Sequence, residues 1–249
     1  MGEDFIIGFH AVIAALQQQE KHVSSVYLDR SRNDQRSQKV SELAHEAKIK
    51  IQRVPRARLD QLAGQGGHQG VVARVQSTPR RNEKDLPDFI AALQQEPFLL
   101  VLDGVQDPHN LGACMRSAAA AGVQAVILPK DKSAPISAVT RKAASGAVES
   151  LAIFQVTNLA RALEILKKAG IWIYGTAGEA DTSLYDSKLT GPIALVLGSE
   201  GKGMRRQTSE LCDHLIHIPL SESIDSLNVS VATGICLYEA VRQRNIQKI

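Results

Sequence analysis

Long apolar runs, cysteine pairs and phosphate-binding glycine fingerprints are missing from this sequence, and each absence narrows what the chain can be. No apolar stretch approaches the ~20 residues that span a bilayer, and the first twenty residues lack a secretion-signal pattern. A cytoplasmic protein with no membrane partner is therefore expected. The three cysteines, Cys114, Cys212 and Cys236, are scattered through apolar segments without a C-x-x-C pair. That leaves neither a disulfide framework nor a zinc site and points to buried structural thiols. The glycine-rich stretch 64–70 lacks the Lys-Ser/Thr ending of a P-loop, and no G-x-G-x-x-G follows the first strong strand of the second half. A nucleotide-dependent oxidoreductase loses its main support.

What is present is ordinary in bulk and uneven in detail. The 249 residues are 44% hydrophobic and 22% charged, enough for one large domain or two modest ones with a real core. Net charge is only +3, but between Arg30 and Arg58 nine basic residues face three acidic ones. Arg30, Arg32, Arg36, Arg53 and Arg56 belong to this stretch. Either they form a surface for a nucleic-acid backbone or they are a solvated helix face.

Periodicity divides the chain. The first 76 residues alternate short strands (Val23–Leu28, Lys50–Val54, Gly70–Val75) with helices such as Arg36–Lys48, where Val40, Leu43, Ala44 and Ala47 share a face. Residues 77–90 are polar and proline-bounded and read as a linker. Residues 91–249 alternate apolar strands and helices, predicting an α/β layered fold with a mostly parallel sheet. Phe98–Val105 is the continuous apolar run of a strand buried on both faces.

Three loops of this second part carry chemistry, and each follows an apolar strand, so a parallel sheet would gather them at one edge. In Asp107-Pro108-His109-Asn110-Leu111-Gly112-Ala113-Cys114-Met115-Arg116, Asn110 stands where a helix cap belongs. Gly112 and Arg116 are i and i+4 on one face, and Arg116 is the only Asp, Glu, Lys or Arg between Asp107 and Lys130. A glycine inside a helix costs about 1 kcal/mol against alanine, which suggests a close approach there. The alternative is a plain cap and a surface charge. In Gly198-Ser199-Glu200-Gly201-Lys202-Gly203, three alternate glycines surround Glu200, which no histidine or carboxylate cluster accompanies, so no metal is expected. The third loop follows the strand Leu215–Ile218, which Pro219 stops, and carries Ser226-Leu227-Asn228 into a helix. In an extended backbone Ser226 and Asn228 point the same way; the duller reading is that both only cap the helix.

With Asn110…Arg116, Gly198-Ser199-Glu200-Gly201 and Ser226-Leu227-Asn228 in this order, the chain resembles the SpoU (TrmH-type) RNA ribose 2′-O-methyltransferases of the SPOUT superfamily. The N-terminal stretch beginning Ile7-Gly8-Phe9-His10-Ala11-Val12 resembles the substrate-binding domain of a ribosomal RNA branch of that family. The resemblance implies a C-terminal trefoil knot, S-adenosyl-L-methionine bound in it, and a homodimer whose subunits complete each other's sites. It implies 23S rRNA, or a ribosome assembly intermediate, as partner, with a guanosine of the peptidyl-transferase P-loop as target. By motif position Asn110, Arg116, Glu200, Ser226 and Asn228 become the catalytic set, and Gly198, Ile218 and Leu227 the cofactor contacts. One departure is Glu222, where family members commonly carry glycine. A tRNA substrate, or an RNA-binding protein without the chemistry, are the alternatives.

Overall fold

The computed structural model describes residues 3–17, 23–64, 67–76, 81–221 and 223–246. In chain order the first elements are β1 (Glu3–Ile7), α1 (Phe9–Gln17), β2 (Val23–Asp29), α2 (Gln35–Glu46), β3 (Lys50–Val54), α3 (Arg56–Ala63) and β4 (Val71–Gln76). Next come α4 (Leu86–Ala91), β5 (Phe98–Asp103), α5 (Pro108–Ala120), β6 (Ala125–Pro129), α6 (Ala138–Ala144), α7 (Ala147–Ser150) and β7 (Ala152–Val156). The chain continues through α8 (Leu159–Lys168), β8 (Trp172–Thr176), β9 (Thr182–Ser183), β10 (Ile193–Gly198), α9 (Arg206–Glu210), β11 (His214–His217) and α10 (Val229–Ile246). Among the described residues no helix is long and apolar enough to cross a membrane.

Two compact units emerge: Met1–Pro79 with Pro135–Ser150, and Arg80–Ala134 with Leu151–Ile249. In the first, a four-stranded sheet runs β1-β4-β2-β3, with β4 antiparallel to β1 and β2, and β2 parallel to β3. Its core is the apolar set that periodicity picks out, Val26 and Leu28 from β2 and Val40 and Ala44 from α2, all fully buried. Helix α2 starts at Asp34, whose side chain accepts from the Ser37 N–H at 2.9 Å. Segment 135–150, which the sequence pattern places in the second domain, groups with this first unit. Ala138 packs against the cluster of Ile7, Leu59 and Val72, and a side chain at Gly146 would meet Ala14.

The second unit holds a seven-stranded, wholly parallel sheet in the order β7-β6-β5-β10-β8-β11-β9. Phe98–Leu102 and Ile193–Leu197 are buried throughout, as strands covered on both faces must be. The linker expected at 77–90 is structured where it is described. Asn82 and Asp85 form a reciprocal capping box, a short 3₁₀ turn follows, and Leu86 of α4 is fully buried beside Phe154 in the sheet's core. Its apolar residues, Leu86, Phe89 and Ile90, fall at helix spacing behind a polar cap, a pattern the surrounding charges obscure.

Candidate active site

The register of the central strands decides where the loops open. Gly198 at the end of β10 pairs with Asp103 at the end of β5; Val196 pairs with Gly175 of β8, and Ile216 of β11 with Thr176. The carboxyl ends of four parallel strands thus share one edge, beside the point where strand order reverses between β5 and β10.

Helix α5 leaves β5 through a turn capped by Asp107, which accepts the Asn110 N–H at 2.8 Å, with Pro108 in the first turn. Asn110 is therefore not the cap expected of it. Asp107 holds that place, because Pro108 fits the first helical position, and the Asn110 side chain is freed to face outward. Its Nδ2 donates to Glu200 Oε2 at 3.3 Å, and its Oδ1 accepts from Asn228 Nδ2 at 3.0 Å. Asn228 caps α10 through the Ser230 N–H, at 2.9 Å from Oδ1, and also reaches α5, so capping and site-building coexist. One turn deeper the buried Cys114 Sγ and Thr233 Oγ1 lie 3.3 Å apart, clamping α5 to α10. Arg116 is exposed and makes no hydrogen bond or ion pair among the described residues.

The Glu200 loop owes its shape to three glycines that act differently. A Cβ on Gly198 would sit 2.0 Å from the Gly203 carbonyl carbon and 2.1 Å from the Met204 nitrogen. Gly201 and Gly203 instead supply positive φ, 78° and 63°. Ser199 and Gly203 exchange backbone hydrogen bonds of 3.0 and 2.9 Å, closing a tight hairpin with Glu200 at its tip. The following residue pair anchors it. Asp103, whose side chain is fully buried, accepts from the Arg205 backbone N–H at 2.9 Å and from its Nε at 2.7 Å.

Between these loops lies a cavity of about 780 Å³. Gly198, Glu200, Ile218, Ser226 and Leu227 line it; Asn110, Arg116 and Asn228 are not among its lining residues. The sequence reading missed part of the wall. Thr176 at the end of β8 and the residues after it to Glu179 belong to it, and so do Met204 and His217. The signal was available for the first group, since β8 is a fourth strand whose carboxyl end opens on the same edge. The Nδ1 of His217 is buried and has no hydrogen-bond partner among the described residues. Four carboxylates, Glu179, Glu200, Glu210 and Asp225, border the cavity against two cations, Lys202 and Arg206, and Arg206 is paired with Glu210 at 2.8 Å. The cavity wall is acidic on balance. Among the described residues no group of three or more histidines, cysteines and carboxylates could hold a metal ion. Glu222 lies outside the described residues.

The basic residues belong to the first unit. Arg30, Arg53 and Arg56 gather at the carboxyl ends of β2 and β3, where the Arg30 N–H donates to the Val54 carbonyl at 2.9 Å. They are exposed, as is Arg36 in the first turn of α2. Arg32 is committed internally: it pairs with Asp34, donates to the Gln69 carbonyl and lies 4.9 Å over the Phe9 ring.

Comparison with known proteins places this parallel-sheet fold. Residues 97–238 match the SpoU rRNA methylase family and residues 5–80 the RNA 2′-O ribose methyltransferase substrate-binding family, so the chain belongs to the SpoU methylases. Among individual relatives, the 23S rRNA (guanosine-2′-O-)-methyltransferase RlmB of Escherichia coli K12 is 53% identical over 242 residues, 97% of this chain and 99% of that one. The crystal structure of the SpoU methyltransferase AviRb from Streptomyces viridochromogenes, in complex with AdoMet, aligns with a TM-score of 0.81 at 26% identity, covering 99% of this chain and 92% of that one. The TrmH/SpoU tRNA-modifying enzyme of A. aeolicus aligns with a TM-score of 0.55 at 30% identity, over 67% of this chain and 84% of that one.

Proposed function

We propose that this chain is a 23S rRNA guanosine-2′-O-methyltransferase that uses S-adenosyl-L-methionine. The observation that carries the reading is the meeting of Glu200, Asn110 and Asn228, from three loops, beside a cavity bordered by Gly198, Ile218 and Leu227. Near-complete coverage of the RlmB relative supports ribosomal RNA over tRNA, since the tRNA-modifying neighbour matches 67% of the chain.

The residues present fit the cofactor. A cavity of about 780 Å³ accommodates a molecule of that size. Its acidic balance suits a ligand with a sulfonium and an ammonium against one carboxylate, and the His217 Nδ1, without a partner among the described residues, is a polar atom that a bound ligand can satisfy. Gly198, Ile218 and Leu227 would hold it, largely through backbone groups. When bound, the cofactor supplies an electrophilic methyl group on sulfur.

The protein's own task is to place a ribose 2′-oxygen in line and handle its proton. A guanidinium has a solution pKa above ~12, so Arg116 acts as a cation that stabilises developing alkoxide charge rather than as a base. Its lack of a partner among the described residues leaves it free for that role. Asn110 and Asn228 orient the ribose, Glu200 fixes Asn110, and Ser226, exposed at the cavity, relays the 2′-hydroxyl proton toward solvent.

RNA docks on the first unit through Arg30, Arg36, Arg53 and Arg56, with Arg32 shaping the same surface, in the cytoplasm, on free rRNA or an assembling particle. The chain works as a homodimer through α10, where Val231 and Tyr238, seven residues apart on one helix face, are 51% and 52% exposed. The trefoil knot belongs to this reading as a family expectation, with which the return of β10 between β5 and β8, after β6 to β9 in sequence, is compatible. Calorimetry with S-adenosyl-L-methionine, followed by mass spectrometry of nuclease-digested 23S rRNA, tests it. Micromolar cofactor binding with a new 2′-O-methylguanosine supports the reading, and absence of cofactor binding defeats it.

A further inference from the structure

The hydrogen-bonded set has a direction, and the geometry points to Ser230 as the residue that imposes it. This rests on the methyltransferase reading and extends it to a residue outside the motif set. An asparagine side chain presents an acceptor on one side and a donor on the other, so an unanchored amide can turn over and exchange them. At Asn228 the Oδ1 accepts twice, from the Ser230 backbone N–H at 2.9 Å and from the Ser230 hydroxyl at 2.6 Å. With its oxygen so held, Asn228 must offer Nδ2 to its neighbour, and Asn110 Oδ1 receives it at 3.0 Å. The Asn110 amide is then oriented too, its Nδ2 donating to Glu200 Oε2 at 3.3 Å. Donors run one way, from Ser230 through Asn228 and Asn110 to the Glu200 carboxylate. The carboxylate, which can only accept, favours the same order from the far end, but through the longest contact of the series and from a hairpin tip, so the shorter contacts at Ser230 are the firmer anchor.

Ser230 is thus a positioning residue: its hydroxyl lies on the second residue of α10, is not among the residues lining the cavity, and acts through Asn228. The backbone N–H alone would keep Asn228 as a helix cap but leave its amide one anchor short. The test compares Ser230→Ala with Ser230→Thr, which keeps a hydroxyl. Methyl transfer to unmodified 23S rRNA, cofactor affinity by calorimetry and thermal unfolding are measured on each full-length chain. Ser230→Ala is expected to lower kcat about tenfold, with cofactor Kd and Tm close to the parent, and Ser230→Thr to recover most of the loss. In spectra of protein labelled with ¹⁵N in asparagine side chains, the Asn228 and Asn110 amides should shift and exchange faster in Ser230→Ala. An unchanged kcat, or a loss matched by a fall in Tm, overturns the proposal. A parent protein that transfers no methyl group defeats the enzymatic reading instead, and unaltered amide spectra then still refute the role of Ser230.

Discussion

In the proposed mechanism Arg116 is the residue on which the chemistry would rest as a single side chain. It is exposed on α5 and makes no hydrogen bond or ion pair among the described residues, in a helix otherwise free of Asp, Glu, Lys and Arg. Lysine would keep the charge but lose the planar fork of donors. Replacing Arg116 with Lys should lower kcat at least about a hundredfold, comparable to removing a transition-state donor, while calorimetry finds cofactor Kd within about twofold. Near-parental turnover would count against the geometric role. The cysteines were legible only in part: Cys114 and Cys236 are buried as expected, whereas Cys212 is half-buried. Burial pushes Cys114 up to about 11 and Cys212 and Cys236 up to about 12. A raised pKa leaves almost no thiolate near pH 8, so a disulfide reagent should label the native protein very slowly and all three thiols promptly in urea. The meeting of Asn110 with Glu200 and Asn228 agrees with the order of the motifs, but its local role was not legible, because Asp107 and Pro108 together form a better helix start than Asn110 does alone.

At the scale of elements, the strands were readable because both faces of β5 and β10 are covered, which forces continuous apolar runs. Their order was not, since nothing in a strand's composition says that β10 returns between β5 and β8. The glycines of 198–203 were readable as a set, whereas their separate duties needed coordinates. Gly198 must admit the Gly203 backbone, so Gly198→Ala should weaken cofactor binding more than tenfold and lower Tm, read by calorimetry and thermal unfolding. A variant with parental values would mean the hairpin can shift without consequence. The Asp103–Arg205 clamp escaped the sequence reading because its partners are 102 residues apart and only the β5–β10 register brings them together. Helix α4 escaped because its polar cap looks like linker composition.

For the whole molecule, the division into two units was visible as a change in composition near residue 80, but their membership was not. Segment 135–150 packs with the first unit through Ala138 and the helix ends around Gly146, contacts between residues far apart in sequence. Cutting the chain at residue 80 would uncover that segment, so substitutions test RNA docking better than truncation. Changing Arg30, Arg53 and Arg56 together to Gln should reduce the slope of log affinity against log salt by about 2, as expected when three contacts to single-stranded phosphates are lost. An unchanged slope would place the RNA elsewhere. The most direct test of the account uses labelled S-adenosyl-L-methionine with 23S rRNA and tRNA that both lack their modifications, followed by alkaline hydrolysis. A 2′-O-methyl group protects its own phosphodiester, so the expected result is label in an alkali-resistant dinucleotide from 23S rRNA that carries guanosine at the methylated position. Label in tRNA, or in alkali-labile products, would contradict the account.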